Sequence, residues 1–418
     1  MFKSISTSRT FLCHLRPRRP SSLARTLPLN QPRSRRLTQT PRLRDFTPIY
    51  HPRPISYAFD PATPTPANRS GPTPRAFTFL HPSNLTQDPE YRHTIPLDPP
   101  ELKVPWPSSL PCALQSKHWR EAEHAARDLL QTLFPSDNNN PNSKGEKYLT
   151  AVTDAVVSYA INLLPLSDLA RIKLLSRTSV LAFLHDDAVD AGNIDNHAVN
   201  TDILIPTGKK HQGSHKAFDI ISKEILTADP INGAILIEDI LSWGSTSRKH
   251  QECPTRFNSL DEYIAYGLED FGASLILRCV EFSITVPTAS SPSPTDLQSF
   301  GCLKSLCAKH LLLTNDLYSY AKEVASGDAG LNAVRVMQDL MSVSDSSAKM
   351  MVRGMLRDLE GQMDEEYTRL TLLTKSNRTV NEVQLRHARA MIVAVAGNMF
   401  FSATCDRYAR AVEGSRLI

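Results

Sequence analysis

Proline is spread so unevenly along this chain that it divides it in two: 21 of the 30 prolines fall within residues 1–111. Each one removes a backbone donor and fixes φ near about −65°, so a segment this rich in proline cannot run as long helices or central strands. The first quarter reads as tail and extended loop. From about Ser116 apolar residues recur at spacings of three and four, as in Val352, Met355, Leu356, Leu359, Met363, Tyr367 and Leu370. That is the period of helices with a buried face. Polar, turn-rich stretches at Pro135–Glu146, Gly192–His215, Ser245–Pro254 and Pro287–Asp296 interrupt the pattern, with no sustained alternation, internal repeat or Gly-rich phosphate loop. The expected fold class is all-α, a single domain of about ten or more helices, the first beginning near Lys117.

With 418 residues, 41% of them hydrophobic, the chain has material for a large core. Its longest apolar run, Ala390 to Phe401, is broken by Gly397 and Asn398 and falls short of the roughly 18 to 20 residues of a membrane span. Residues 1–44 carry one lysine and ten arginines against no acid, while the remainder has a formal charge of −7. An Arg- and Ser-rich, acid-free start has the composition of a mitochondrial transit peptide, or of an unstructured extension to a cytoplasmic protein. The acidic body argues against nucleic acid as a partner. Seven scattered cysteines without a C-x-x-C pair suggest neither a disulfide framework nor a zinc site. The expected organisation is a basic tail over residues 1–44, a Pro-rich extended segment over 45–115 and a helical domain over 116–418.

Two polar clusters stand out against their apolar surroundings. Val180 to Leu184 leads directly into His185-Asp186-Asp187-Ala188-Val189-Asp190. On a helix Asp186 and Asp190 share a face, with Asp187 one step round. Three acids so close at the end of an apolar run call for a compensating cation, and a hard divalent ion with oxygen ligands supplies it. In the second cluster Asn315, Ser319 and Glu323 advance by four residues each, which keeps three oxygen groups within roughly 80° of one helix face. Amide, hydroxyl and carboxylate together suit magnesium, with waters or phosphates completing its shell. Lys322 adds a point charge for a phosphate.

The pair of motifs, Asp-Asp-x-x-Asp at 186–190 and Asn-Asp-x-x-Ser-x-x-x-Glu at 315–323, resembles the class I terpene cyclase family, as does the terminal Arg407-Tyr408 pair. The resemblance covers about residues 116–410. Its wording is most similar to the cyclase half of fungal bifunctional di- and sesterterpene synthases, whose prenyltransferase half has no counterpart here. It implies a helical bundle around a central apolar cavity and three Mg2+ ions held by Asp186, Asp187, Asp190, Asn315, Ser319 and Glu323. Lys322, Arg407 and Tyr408 would take the diphosphate of a linear prenyl substrate that a separate prenyltransferase supplies.

One position departs from the family pattern. Gly267 stands where a diphosphate-sensing arginine belongs, in Tyr263-Ile264-Ala265-Tyr266-Gly267-Leu268-Glu269-Asp270-Phe271. Asp270 and the Phe271 carbonyl match the linker and effector positions of that segment. Arg278 is eleven residues beyond Gly267, about 16 Å along a helix, and cannot take its place. Phe183, Phe271, Phe400, Phe401 and Trp243 are candidates to line the cavity, Phe400 and Phe401 on a final helix that also carries Arg407. The expected reaction is cyclisation of geranylgeranyl diphosphate to a diterpene. The alternatives are a cyclase for farnesyl or geranylfarnesyl diphosphate, and a non-catalytic binder of prenyl diphosphates in which Gly267 reflects lost activity.

Overall fold

From Tyr50 onward, the described part of the proline-rich region packs in the same core as the helices that follow it. The computed structural model describes residues 50–62, 76–85, 88–134, 144–190, 212–249, 256–284, 300–327, 329–376 and 380–417. The basic segment 1–44 lies outside these residues, as do most of Pro135–Glu146 and Gly192–His215 and all of Pro287–Asp296. Within the Pro-rich segment a one-turn helix α1 (Pro82–Leu85) precedes two short strands, β1 (Thr94–Leu97) and β2 (Ala113–Ser116). The strands pair antiparallel with Thr94 opposite Ser116 and Leu97 opposite Ala113, a hairpin that the sequence pattern did not announce.

Phe59, Phe77, Leu80, Trp106, Leu110 and Cys112 are buried in the same core as the helices. The boundary expected at residue 116 therefore does not separate two bodies: the structure from Tyr50 onward is one unit. A chain short of backbone donors is held by side chains from elsewhere. Ser108 and Ser109 donate their hydroxyls to Glu360 (2.6 Å each), Phe77 donates its N–H to Asp364 (2.8 Å), and Asp60 pairs with buried Arg353.

The remaining helices are α2 (Trp119–Leu133), α3 (Lys144–Leu163), α4 (Leu169–Asp190), α5 (Gln212–Ala228), α6 (Pro230–Lys249), α7 (Leu260–Asp270), α8 (Ala273–Ile284), α9 (Gly301–Ser326), α10 (Ala333–Met341), α11 (Asp345–Lys375), α12 (Glu382–Thr404) and α13 (Asp406–Ala409). The all-α expectation holds. On α11 the stripe Val352, Leu356, Leu359, Met363, Tyr367 and Leu370 is buried, as its spacing requires. Helix α6 runs through Lys249, into a stretch expected to be a turn, because Ser247 finds a partner in His185 of α4 (2.8 Å). No helix among the described residues is long and apolar enough to cross a membrane.

Helix α12 forms the centre of the bundle and is buried along nearly its whole length. Its start is fixed by a capping box: the Asn381 side chain accepts from the Gln384 N–H (2.9 Å) and Gln384 Oε1 accepts from the Asn381 N–H (2.7 Å). Gly397 lets α12 approach α3 closely, since a Cβ there would lie 1.9 Å from the Asn162 carbonyl oxygen. Helices α3 to α9 and α12 surround one cavity, with α13 beside its polar mouth.

Candidate active site

The cavity has a volume of about 270 Å³. Its polar end is built where α4, α7 and α9 bring their acidic turns together beside α13. Asp186 leaves the last turns of α4 with its side chain 56% exposed, at the mouth. Asp190 is the last residue of α4, and its side chain lies outside the described residues. Across the opening α9 presents Asn315, Ser319, Lys322 and Glu323 to the same space, the first, second and fourth of them one turn apart along one helix face.

The side chains of α9 differ in how they are held. The Asn315 amide nitrogen donates to the Tyr408 hydroxyl (2.8 Å), which turns its oxygen to the other side. Glu323 Oε2 accepts from the Asn332 amide (2.9 Å). Ser319 Oγ is buried with no hydrogen-bond partner among the described residues, at a substantial cost unless a ligand completes it. In the cavity wall three carboxylates, Asp186, Asp270 and Glu323, face two cations, Lys322 and Arg407. An orphan hydroxyl between an amide and a carboxylate, in a wall with excess negative charge, fits a divalent cation with oxygen ligands.

Asp187 stands apart from the metal set in which the sequence placed it. One of its oxygens accepts from Arg407 Nη1 (2.6 Å) and the other from the Tyr148 hydroxyl (3.1 Å). Arg407 also approaches Asp186 at 3.7 Å. Burial works against the charge on this guanidinium, but Asp187 and Asp186 outweigh it and raise its pKa further above the physiological range. Burial likewise raises the Tyr408 phenol, which therefore keeps its proton. Arg407 and Tyr408 are not on the helix of Phe400 and Phe401. Helix α12 ends at Thr404, Cys405 is extended (φ −69°, ψ 120°), and α13 starts at Asp406. The break turns Arg407 across the mouth.

Phe183, Phe271, Phe401 and Trp243 line the cavity. Phe400 does not: it is fully buried in the surrounding core, because successive helical residues point about 100° apart and only one of the pair can face inward. Tyr159 sits between Phe183 and Phe401, with ring centroids at 5.4 and 5.6 Å and both contacts edge to face. Phe218, Tyr263 and Tyr266 complete an aromatic wall. None of these four was legible as lining, since their spacing is that of ordinary helix cores.

Gly267 is buried in α7 and borders the cavity. It has an ordinary helical φ, and the nearest atoms a Cβ there would meet are the Leu312 methyl groups at 3.1 and 3.4 Å and the Tyr263 ring at 3.5 Å. Arg278 does not replace the missing side chain, as it pairs with Asp239 and Glu281 on the outer side of α8. Asp316, the second letter of the α9 motif, is a structural anchor. It accepts from the Tyr263 hydroxyl (2.6 Å) and the Ala333 N–H (3.1 Å), and its burial holds its pKa well above the usual carboxylate range.

Residues 242–362 match the family model described as terpene synthase family 2, C-terminal metal binding. The chain is 30% identical over 377 residues to terpene cyclase 6 of Gibberella fujikuroi, an alignment covering 86% of this chain and 96% of that protein. It is 25% identical to a bifunctional type I diterpene synthase of Aspergillus flavipes over 57% of this chain and 32% of the other. Among solved structures, aristolochene synthase from Penicillium roqueforti superposes with a TM-score of 0.54 at 19% identity, covering 68% of this chain and 94% of that one. A polar, cation-ready mouth above an aromatic cavity is thus joined to similarity over nearly the full length of a known cyclase, and the chain belongs to the class I terpene synthases, lyases that act on prenyl diphosphates with a divalent metal.

Proposed function

We propose that this enzyme ionises farnesyl diphosphate and cyclises the resulting cation to a sesquiterpene. The observation that carries the reading is the convergence of Asp186, Asn315, Ser319, Glu323, Lys322, Arg407 and Tyr408 at one end of a cavity whose other walls are apolar and aromatic. Asp186 and Asp190 on α4, with Asn315, Ser319 and Glu323 on α9, are the proposed ligands of three Mg2+ ions. When bound, these ions supply positive charge against the negative charge growing on the departing diphosphate.

The chain's own residues do the rest. Arg407, held by Asp187, which Tyr148 in turn holds, and Lys322 meet the phosphate oxygens, and the Tyr408 hydroxyl donates a hydrogen bond to them. The allylic C–O bond breaks with its electron pair leaving on diphosphate. Tyr159, Phe183, Trp243, Phe271 and Phe401 then shield the cation from water, each ring face stabilising nearby positive charge by about 0.5–2 kcal/mol. Transfer of a proton from a carbon beside the final cation to the released diphosphate ends the sequence, the C–H electron pair forming the double bond of the product.

A cavity of about 270 Å³ stands just below the usual range for small-molecule sites, roughly 300–1,000 Å³, which favours the 15-carbon chain over a longer one. Geranylgeranyl diphosphate is the second reading, favoured by the similarity to a bifunctional diterpene synthase. In either case a separate prenyltransferase is the proposed source of substrate. The test is incubation of purified protein with Mg2+ and the 15-, 20- or 25-carbon diphosphate, followed by mass spectrometry of the extract. Cyclic product from the 15-carbon substrate alone is expected. Product from the 20-carbon substrate alone would replace the first reading with the second.

A further inference from the structure

Trp243 of α6 touches both halves of the site. Its indole N–H donates to the Asp270 carbonyl (3.0 Å), at the end of α7. The next two residues, Phe271 and Gly272, form the break between α7 and α8. Gly272 is left-handed (φ +71°), and a Cβ there would lie 2.7 Å from Trp243 Cδ1. Glycine is thus required twice over, by the backbone conformation and by the ring seated on it. On its other side Trp243 packs edge to face against His185 (5.2 Å, 67°), the residue before Asp186. His185 Nε2 shares a hydrogen bond with Ser247 Oγ (2.8 Å), one turn beyond Trp243 on α6. The imidazole is clamped between two side chains of one helix.

We infer that Trp243 is a positioning residue that ties the aspartate-bearing end of α4 to the α7–α8 break, so that a ligand seated at Asp186 also sets the position of Asp270 and Phe271 in the cavity wall. This linkage rests on the proposed cyclase reading for its consequence. It accounts for how the two sides of the site stay in register without an arginine at position 267. Because a hydrogen bond, an aromatic contact and a glycine seat all meet on one side chain, a shift of α4 is passed to the break rather than absorbed.

The test uses the full chain with 5-fluorotryptophan in place of Trp106, Trp119 and Trp243, the Trp243 resonance being assigned by its loss in Trp243→Phe. Addition of Mg2+ with inorganic diphosphate should shift the Trp243 fluorine resonance and leave the other two in place. In parallel, Trp243→Phe, which keeps an aromatic ring but loses the N–H, should lower kcat at least tenfold with KM changed less than threefold, and raise the share of acyclic products. An unmoved Trp243 resonance overturns the inference, as does a Trp243→Phe enzyme whose product ratio equals wild type. If the resonance moves but wild type converts no prenyl diphosphate, the coupling stands and the cyclase reading fails. Turnover without a resonance shift has the reverse meaning.

Discussion

Gly397→Ala separates what helix propensity says from what packing says. Within an isolated helix alanine is about 1 kcal/mol better than glycine, so on local grounds α12 should gain stability. In the folded chain the new Cβ would sit 1.9 Å from the Asn162 oxygen, 2.5 Å from its carbonyl carbon and 3.0 Å from the Leu163 nitrogen. All three are backbone atoms and none can rotate away. Restoring an ordinary contact of 3.4 Å means moving α12 off α3 by about 1.5 Å, across the helix pair that carries Tyr159 and Phe401. Overpacking of this kind costs roughly 1–3 kcal/mol, occasionally more. With three fixed backbone atoms in the way the cost falls at the upper end, about 3 kcal/mol, so that against the propensity gain a net loss of about 2 kcal/mol is expected, or roughly 4–8 °C in Tm for a large domain. Thermal unfolding followed by circular dichroism measures it. Gly354→Ala and Gly361→Ala on α11 are the controls, since a Cβ at either meets nothing within 4 Å. Each should be neutral or stabilising by about 0.5–1 kcal/mol. A Gly397→Ala protein as stable as wild type, or more so, would refute the packing argument.

Asp186→Ala and Asn315→Ala should each abolish product while moving Tm by less than about 2 °C, because both groups sit at a wet mouth and contribute little packing. Asp187→Asn should raise KM about tenfold or more, as Arg407 loses its charged partner and with it a contact of roughly 1.5–3 kcal/mol; steady-state kinetics check it, and an unchanged KM would remove Asp187 from the diphosphate site. Gly267→Arg should fold, since the helix there is ordinary and the nearest obstacle is a movable Leu312 methyl; calorimetry with Mg2+ should show tighter diphosphate binding, and weaker binding would contradict the geometry. Deleting residues 1–44 should leave Tm and turnover unchanged, whereas Asp60→Ala should destabilise by about 3–5 kcal/mol, because it leaves the Arg353 guanidinium buried without its carboxylate.

The α4 and α9 clusters are legible in the order of residues because their geometry is local. Residues four apart on a helix share a face wherever the helix goes, so Asn315, Ser319 and Glu323 had to point one way. The all-α class followed from the same period. What lay beyond reach was every contact between residues distant in sequence. Nothing in the chain's order says that Phe401 rather than Phe400 faces the cavity, since that depends on how α12 is rotated in the bundle. Nor does it say that both Asp187 oxygens belong to Arg407 and Tyr148, 220 and 39 positions away.

The proline-rich quarter shows the same division from the other side. Its prolines ruled out long helices, and none forms among its described residues. Their density could not say whether the segment hangs free or packs, because an extended chain with few donors is held by whatever side chains surround it. Glu360, Asp364 and Arg353, all on one helix far along the sequence, made that decision. The sequence alone determined the helices and the chemical character of the mouth, through short-range spacing and charge. The tertiary structure decided which aromatics form the wall, which carboxylate holds the arginine and where the described residues between Tyr50 and Gln115 pack, because each of those is settled by surfaces that meet only on folding.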